Sequence, residues 1–392
     1  MRRMATPVRP ETSTAAGGRA RYIMIGGFLG AGKTTAILKF AQHLQDQNKR
    51  VGLITNDQGH GLVDTHRALA GGFAVEEIPG GCFCCRFNSL IEASSRLAKQ
   101  TAPDAFIAEP VGSCTDLVAT VVFPLRRLYG NDYRIAPLSV LVDPIRALRI
   151  LGIEQGRKFS DKVVYIYLKQ LEEADIIVIN KCDLLDSTRL ANLRSALAER
   201  FPRAEIFECS ARNGTGLDAW FERIQTTESS AARAMEIDYA TYGEGESLLG
   251  WLNATIRVSA KTPFDGNALL LSLATRLHEH LKAENAEVAH LKMTLLPAED
   301  DVDIGVVNLV RTDDAPVLSH ELMETLSRGE LIINMRAEVA PETLESLVRS
   351  AVPDPALAGG ASSSGPIKFQ LANLESFRPA PPKPVHREMV SI

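Results

Sequence analysis

Apolar and polar residues follow two different patterns along this chain. Over residues 21–225, short apolar runs are separated by amphipathic segments in which apolar positions recur with a helical period. Strands that alternate with helices in this way are typical of a parallel sheet covered by helices on both faces. The runs that we predict to be strands are residues 22–25, 51–55, 73–78, 105–108, 137–142, 175–179 and 204–208.

The pattern changes after residue 245. Several strand-like runs then occur with only two helical segments, at residues 267–282 and 341–352. Few helices beside several strands favour a small α+β domain with an antiparallel sheet. The strands predicted for this part are residues 252–258, 288–296, 304–310 and 331–339.

These changes divide the chain into five parts. Residues 1–20 are expected to be a flexible N-terminal tail, residues 21–225 a first domain, and residues 226–245 a polar linker. Residues 246–352 form the α+β domain, and residues 353–392 are expected to be a flexible C-terminal tail rich in Pro, Ala, Gly and Ser. Within that tail, residues 369–379 carry enough apolar side chains to dock on the protein.

A phosphate-binding motif follows the first predicted strand. Residues 27–34 (GFLGAGKT) fit the pattern G-x-x-x-x-G-K-[ST], and a helical pattern starts directly after them. Backbone N–H groups of such a loop surround phosphate oxygens, the lysine reaches the outer phosphates, and the hydroxyl can bind Mg²⁺. The chain is therefore predicted to be a P-loop NTPase. We assign the phosphate site to Gly27, Gly30, Ala31, Gly32, Lys33, Thr34 and Thr35.

Two later segments resemble the base-recognition elements of GTPases. Asn180, Lys181 and Asp183 follow the predicted strand 175–179, and Ser210 with Ala211 follows the strand 204–208. A carboxylate at Asp183 can accept hydrogen bonds from both the ring N–H and the amino group of guanine, a pair that adenine does not present. The sequence therefore predicts GTP as the nucleotide.

Three cysteines occur within four residues after two glycines, in residues 80–85 (GGCFCC). Three thiolates at Cys82, Cys84 and Cys85 suit a soft or borderline ion such as Zn²⁺ and leave a fourth position open. His60 or His66 could supply that fourth ligand. Buried small side chains or a redox pair are the alternatives, and burial is the expected explanation for three further cysteines, at positions 114, 182 and 209.

Composition narrows the compartment and the partners. The chain has 43 basic and 48 acidic residues, and 45% of its residues are hydrophobic. Because the basic residues form no cluster and no apolar run reaches the length of a membrane span, we expect no nucleic-acid or membrane partner. No apolar core segment of a secretory signal follows the first residues, and we expect a cytoplasmic protein with reduced cysteines.

Four segments together resemble the CobW-type branch of the SIMIBI-class GTPases, which is related to the urease and hydrogenase nickel-insertion GTPases. The resemblance covers residues 21–225 and rests on residues 26–35 (GGFLGAGKTT), 80–85 (GGCFCC), 109–112 (EPVG) and 180–183 (NKCD). It implies that Glu109 and Asp57 respond to the third phosphate and bind Mg²⁺ together with Thr34. It also implies catalytic roles for Lys33, Thr34, Asp57 and Glu109. From the residues alone, Asp57 could instead be a turn or helix-capping residue.

The resemblance and the motifs imply a Mg²⁺-dependent GTPase that carries Zn²⁺, or another transition metal such as Co²⁺, to a client metalloprotein. No arginine finger is evident, so unassisted turnover is expected at about 10⁻⁴–10⁻² s⁻¹. A nucleotide-dependent homodimer is a further expectation. One alternative is a GTP-gated chaperone for a corrinoid or other metalloenzyme, with the cysteines as a sensor or clip. A small-molecule kinase is another, because a phosphate loop alone allows it.

Overall fold

The computed structural model contains two sheets, each with its own helices. It describes residues 19–57, 72–298, 303–352 and 367–391. The first sheet is parallel throughout and covered by helices, and the second is antiparallel. This is the predicted fold class, a P-loop NTPase α/β domain followed by a smaller α+β domain, and it is confirmed.

The parallel sheet has eight strands in the order β3-β2-β4-β1-β6-β7-β8, with β5 also paired to β1. Its strands are β1 (Ala20–Gly27), β2 (Val51–Asp57), β3 (Ala74–Pro79), β4 (Ala105–Glu109), β5 (Tyr133–Ile135), β6 (Ser139–Val142), β7 (Ile176–Ile179) and β8 (Glu205–Glu208).

The strand positions of the parallel sheet are apolar because helices cover both faces. Tyr22 of β1 is fully buried, and its ring contacts Phe106 of β4 and Tyr133 of β5 at 6.0 and 5.2 Å between centroids. The first-domain helices are α1 (Lys33–Asp46), α2 (Phe87–Thr101), α3 (Phe123–Tyr129), α4 (Pro144–Ile150), α5 (Asp161–Glu173), α6 (Ser187–Arg200) and α7 (Leu217–Thr226), and a π-helical turn (Val118–Val122) precedes α3.

Because all these strands run in one direction, their carboxyl ends meet at one edge of the sheet. The sequence motifs follow those ends: the phosphate loop follows β1, the Glu-x-x-Gly segment starts at the end of β4, and the Asn-Lys-x-Asp box follows β7. Ligands of open α/β sheets bind at this edge. The fold therefore brings together motifs that are far apart in the sequence.

The second sheet has six antiparallel strands in the order β12-β11-β10-β13-β9-β14. Leucine and isoleucine side chains on one face pack against two helices and form a separate core. Its elements are β9 (Gly250–Phe264), α9 (Gly266–Ala283), β10 (Glu287–Pro297), β11 (Gly305–Leu309), β12 (Val317–His320), β13 (Leu326–Glu338), α10 (Pro341–Ala351) and β14 (Lys368–Phe377).

Two of the predicted connecting segments differ from the structure. The end of the expected linker 226–245 forms the start of a helix, α8 (Tyr239–Leu248). The expectation of a flexible C-terminal tail is wrong for residues 367–391, since β14 pairs along β9 and the residues after it pack on the first domain. The apolar pattern of these segments does not indicate α8 or β14, because each element packs against residues that are distant in sequence.

Candidate functional site

The phosphate loop has the backbone that its glycines permit. Gly27, Gly30 and Gly32 all have positive φ angles, of 128°, 78° and 89°. A Cβ at Gly27 would lie 2.3 Å from the carbonyl oxygen of Leu141, and one at Gly32 would lie 2.4 Å from Nδ2 of Asn180. Only glycine is compatible with these positions, and the loop leads directly into the N-terminal end of α1, where anions bind favourably.

A hydroxyl and a carboxylate meet beside this loop. Oγ1 of Thr34 donates a hydrogen bond to the Glu109 carboxylate, at 3.1 and 3.2 Å from its two oxygens. Lys33 is buried in the same loop. A hydroxyl and a carboxylate are the hard oxygen ligands that Mg²⁺ takes beside phosphates, and these two residues fit the ion. Asp57 is the last residue of β2, on the strand adjacent to β4.

Two side chains connect the base-recognition segments to the phosphate loop. Asn180 donates from Nδ2 to the carbonyl oxygen of Ala31 at 2.8 Å, and its Oδ1 accepts from the N–H of Ala211 at 3.0 Å. Nζ of Lys181 donates to the carbonyl oxygen of Gly30 at 2.7 Å. Asp183 is exposed. The three segments are distant in sequence but are hydrogen-bonded to one another at this edge of the sheet, and the Asp183 carboxylate lies on its exposed side.

The second domain contacts this edge through Asp143, whose role the sequence did not indicate. Asp143 is buried and caps α4, and its carboxylate pairs with Lys181 at 2.9 Å and with Arg311 of the second domain at 2.8 Å. Burial alone would raise the pKa of Asp143, but Lys181, Arg311 and Arg146 hold it below its usual range. One ionised carboxylate thus connects the base-recognition box to the second domain.

The three cysteines of the loop between β3 and α2 converge. The sulfur of Cys82 lies 2.8 Å from that of Cys84 and 3.4 Å from that of Cys85, and the last two sulfurs are 3.7 Å apart. Two glycines with positive φ angles precede this turn, which continues into α2. All three sulfurs lie within 4.8 Å of one another, a spacing that suits ligands of one metal ion.

A fourth cysteine lies near this cluster. Cys114 lies just beyond the Glu109-to-Gly112 segment, and its buried thiol influences the pKa of Cys82 and Cys84. Its predicted burial is confirmed. The spacing of 29 residues between Cys85 and Cys114 gave no signal, since only the parallel pairing of the strands brings the two loops together.

Contacts among the thiols lower the pKa of one cysteine and raise the pKa of the others. Hydrogen bonding with Cys114, Cys84 and Cys85 lowers the pKa of the Cys82 thiol well below its usual range, although burial opposes this. The same kind of contact with Cys114 and Cys82, aided by burial, raises the pKa of Cys84. Contact with Cys82 raises the pKa of Cys85. Negative charge therefore forms most readily on Cys82, as a metal-binding thiol requires.

Two further contacts hold the cysteine loop. Nδ2 of Asn56, next to Asp57, donates to the carbonyl oxygens of Ile78 and Gly81 at 2.8 and 2.6 Å. On the other side, the backbone N–H of Lys383 donates to the sulfur of Cys85 at 3.1 Å. We call residues 378–391 the C-terminal segment. It crosses the cysteine loop, and the N–H of Val385 donates to the carbonyl oxygen of Cys84 at 2.9 Å.

The structure thus brings Lys33, Thr34 and Glu109 together at the phosphate loop and the three predicted cysteines in a second cluster. Ser210 and Ala211 lie beside Asn180, as the base-recognition prediction requires. His60 and His66 lie outside the described residues, so their predicted role as a fourth ligand stays a prediction. The contacts of Asn56, Asp143 and the C-terminal segment were not predicted from the sequence.

This phosphate loop and the ordered segments around it define a P-loop nucleotide-binding domain. Residues 21–208 match the model of the CobW/HypB/UreG nucleotide-binding domain. This part of the chain is therefore similar to that domain, and the resemblance given by the motifs is confirmed.

Several named proteins are similar over this part of the chain. The zinc chaperone YeiR of Escherichia coli is 34% identical over 169 residues, which is 42% of this chain and 47% of YeiR. The zinc chaperone CobW of Sinorhizobium sp is 29% identical over 224 residues, which is 52% of this chain and 62% of that protein. The chain therefore spans about half the length of these relatives.

A solved structure of the hydrogenase maturation factor HypB from Archaeoglobus fulgidus covers 54% of this chain, at 22% identity and a TM-score of 0.38. The match spans 90% of the HypB chain. Within the part of the chain that the structure describes, the helices are all too short or too polar to cross a membrane.

Proposed function

We propose that this protein is a Mg²⁺-dependent GTPase that binds a transition metal through Cys82, Cys84 and Cys85 and uses its nucleotide state to time delivery of that metal to a client protein. The observation that carries the proposal is the convergence of three thiols in a loop that is hydrogen-bonded to Asn56 at the end of β2. Zinc chaperones among the relatives make Zn²⁺ the first metal to test, with Co²⁺ as the alternative.

The nucleotide half of the proposal rests on the connected edge of the sheet. Lys33 and the backbone of the phosphate loop would bind the outer phosphates, and Thr34 with Glu109 would hold Mg²⁺, which neutralises charge on the transferred phosphoryl group. Asp57 is proposed as the second acidic group. Asn180, Lys181, Asp183 and Ala211 would bind guanine. Slow unassisted hydrolysis then makes the GTP-bound state long-lived, as a timing device needs.

The coupling half rests on connectivity between the two sites. Asn56 at the end of β2 holds the turn before the cysteines, and Cys114, beyond Glu109, is near enough to lower the pKa of Cys82. A change in the segments that follow β2 or β4 on loss of the third phosphate would therefore alter the backbone or the contacts of the cysteine loop. Segments ordered by a third phosphate are a common basis for such switches.

A second candidate is a GTP-gated chaperone in which the cysteines serve as a clip. It is favoured by the C-terminal segment, whose Lys383 N–H binds the sulfur of Cys85 and so ties the end of the chain to the loop. In that case client binding would be the function, and metal would stabilise one conformation. A client held by the protein would then be captured equally well after the three cysteines are replaced.

Metal transfer tests the proposal directly. Zn²⁺-loaded protein would be mixed with a chelating indicator in the presence of GTP, a non-hydrolysable GTP analogue or GDP, and the rate of metal release measured. The delivery mechanism predicts a release rate that depends on the nucleotide. Equal rates in all three states would reject it, and a protein purified without bound metal that takes up none on titration would reject the metal site itself.

A further inference from the structure

The second domain lies directly against the phosphate loop. A Cβ added at Gly30 would lie 3.1 Å from the carbonyl oxygen of Ala289 and 3.1 Å from the side chain of Val310, so glycine at this position permits the close approach. Ala289 belongs to β10, and Val310 follows β11. Two strands of the antiparallel sheet therefore end against the loop that is proposed to bind the phosphates.

Two arginines join these surfaces by hydrogen bonds. Arg146 on α4 is buried, and its guanidinium donates to the carbonyl oxygen of Val310 in the second domain. In the opposite direction, Nη1 of Arg311 in the second domain donates to Oδ1 of Asp143 at 2.8 Å. Nη2 of Arg311 donates to the Asp314 carboxylate at 2.8 Å. Because its two amino groups bind different carboxylates, the Arg311 guanidinium is held in one orientation.

Asp143 connects Arg311 to the base-recognition box. Its Oδ1 accepts from Arg311 and from the N–H of Arg146, whereas its Oδ2 accepts from Nζ of Lys181 at 2.9 Å. The same Nζ donates to the carbonyl oxygen of Gly30 at 2.7 Å. Because the two carboxylate oxygens have different donors, the contact with Arg311 keeps Oδ2 turned towards Lys181.

We propose that Arg311 is a positioning residue for nucleotide binding, which acts through Asp143 to hold Lys181 in the base-recognition site. The inference rests on the proposed function, because it gives the second domain a part in binding GTP.

Charge explains how Arg311 affects Lys181 without touching it. When Arg311 is removed, the buried Asp143 carboxylate loses both a donor that orients it and a positive charge that compensates its own. The Lys181 ammonium is then attracted more strongly to Asp143 and is drawn away from the carbonyl oxygen of Gly30. The second domain therefore sets how tightly the protein holds guanine nucleotides.

Nucleotide affinities of the full-length protein test this role. Arg311→Met removes the charge but keeps a long side chain, and it should weaken the binding of GDP and of a non-hydrolysable GTP analogue by the same factor, ~10-fold. The factors should be equal because Lys181 belongs to the base-recognition box and not to the groups around the third phosphate. In steady-state hydrolysis, KM for GTP should rise by this factor with a much smaller change in kcat.

The matched control is Arg257→Met, on the exposed side of β9, which should bind both nucleotides as the unmodified protein does. Unchanged affinity of Arg311→Met for both nucleotides would overturn the inference and leave the proposed function intact. An unmodified protein that binds neither nucleotide would instead overturn the proposed function.

A double-mutant cycle tests whether Arg311 acts through Lys181. In the Lys181→Met background, Arg311→Met should have little further effect on GDP affinity, because the group that it positions is already absent. The same fold-change in both backgrounds would overturn the inference.

Hydrogen exchange of the unmodified protein decides the question if these variants do not fold. If the contact with the second domain strengthens GDP binding, reciprocity requires that GDP strengthen the contact. The backbone amides of residues 310–312 should therefore exchange more slowly when GDP is bound. Exchange at these residues that does not respond to GDP would overturn the inference.

Discussion

The nucleotide site and the thiol cluster lie at the same edge of one sheet but are encoded differently. The nucleotide site is made of short motifs, such as the phosphate loop. The functional residues of each motif are neighbours in sequence. The thiol cluster combines a short motif with a contact from the backbone of Lys383, which comes from another part of the chain. A site made of local motifs can be recognised from sequence, whereas a site completed by tertiary contacts cannot.

The largest expected effect separates the two sites. Thr34→Ala and Lys33→Ala should each reduce GTP hydrolysis by ~10³-fold or more, because they remove a magnesium ligand or the charge that faces the phosphates. Bound Zn²⁺ per chain should not change. Phosphate release and elemental analysis measure the two quantities on the same sample.

Lys39→Ala, on the exposed face of the same helix, is the matched control for the lysine variant. If either phosphate-site variant lost its metal while the control kept it, the two sites would not be separable in the proposed way.

A smaller effect concerns the choice of base. Asp183→Asn should weaken GTP binding by about 3 kcal/mol, roughly 10²-fold, because an amide cannot accept both guanine hydrogen bonds. The variant should gain affinity for xanthosine nucleotides. Titration of both nucleotides into this variant and into the exposed Asp218→Asn control measures the change. Equal hydrolysis of ATP and GTP by the unmodified protein would contradict the assignment of Asp183.

The buried carboxyl group of Glu173 holds the segment that follows β4, and we expect it to make the stability of the protein depend on pH. Burial raises the pKa of Glu173 to about 8, and its carboxyl group accepts from the N–H of Val118 and the hydroxyl of Thr115. Its folded-state pKa lies above its unfolded value, so its stabilising contribution is complete below about pH 4 and is lost as the pH rises through 8. Between pH 6 and 8 the free energy of unfolding should fall by ~1 kcal/mol per pH unit.

Urea unfolding at several pH values measures this slope. Glu173→Gln, which cannot ionise, should make the slope shallower by about that amount and leave the contribution of Glu246, whose pKa burial also raises to about 8, while Glu172→Gln at the exposed neighbouring position should not change it. A slope that is the same in both variants would show that Glu173 is not the titrating group.

The smallest expected effect concerns the hydrogen bond by which the C-terminal segment contacts the thiol cluster. Lys383 stands between prolines, so Lys383→Pro removes the N–H that binds the Cys85 sulfur with little other change. Loss of one hydrogen bond of about 1 kcal/mol should increase the rate of Cys85 alkylation roughly 5-fold in the metal-free protein. Lys383→Ala keeps the N–H and is the matched control. Equal rates in the two variants would mean that this contact does not protect the thiol.

The sequence predicted the fold class and the positions of most strands, because apolar periodicity and glycine-rich loops are local properties. It did not predict β14, whose short apolar pattern becomes a strand only by pairing with β9. Asp143 was visible at the end of a strand, but its ion pair with Arg311 joins residues 168 positions apart.

We propose that metal binding and nucleotide binding are coupled, and one titration tests this coupling. A non-hydrolysable GTP analogue would be titrated calorimetrically into Zn²⁺-loaded and metal-free protein. Reciprocity requires that metal change the nucleotide affinity by the same factor by which nucleotide changes the metal affinity, and coupling of this kind is typically 5–150-fold, or about 1–3 kcal/mol. Coupling between the two sites predicts a factor in this range, which should disappear when Cys82, Cys84 and Cys85 are replaced by serine. Identical affinities in the loaded and metal-free protein would contradict this coupling.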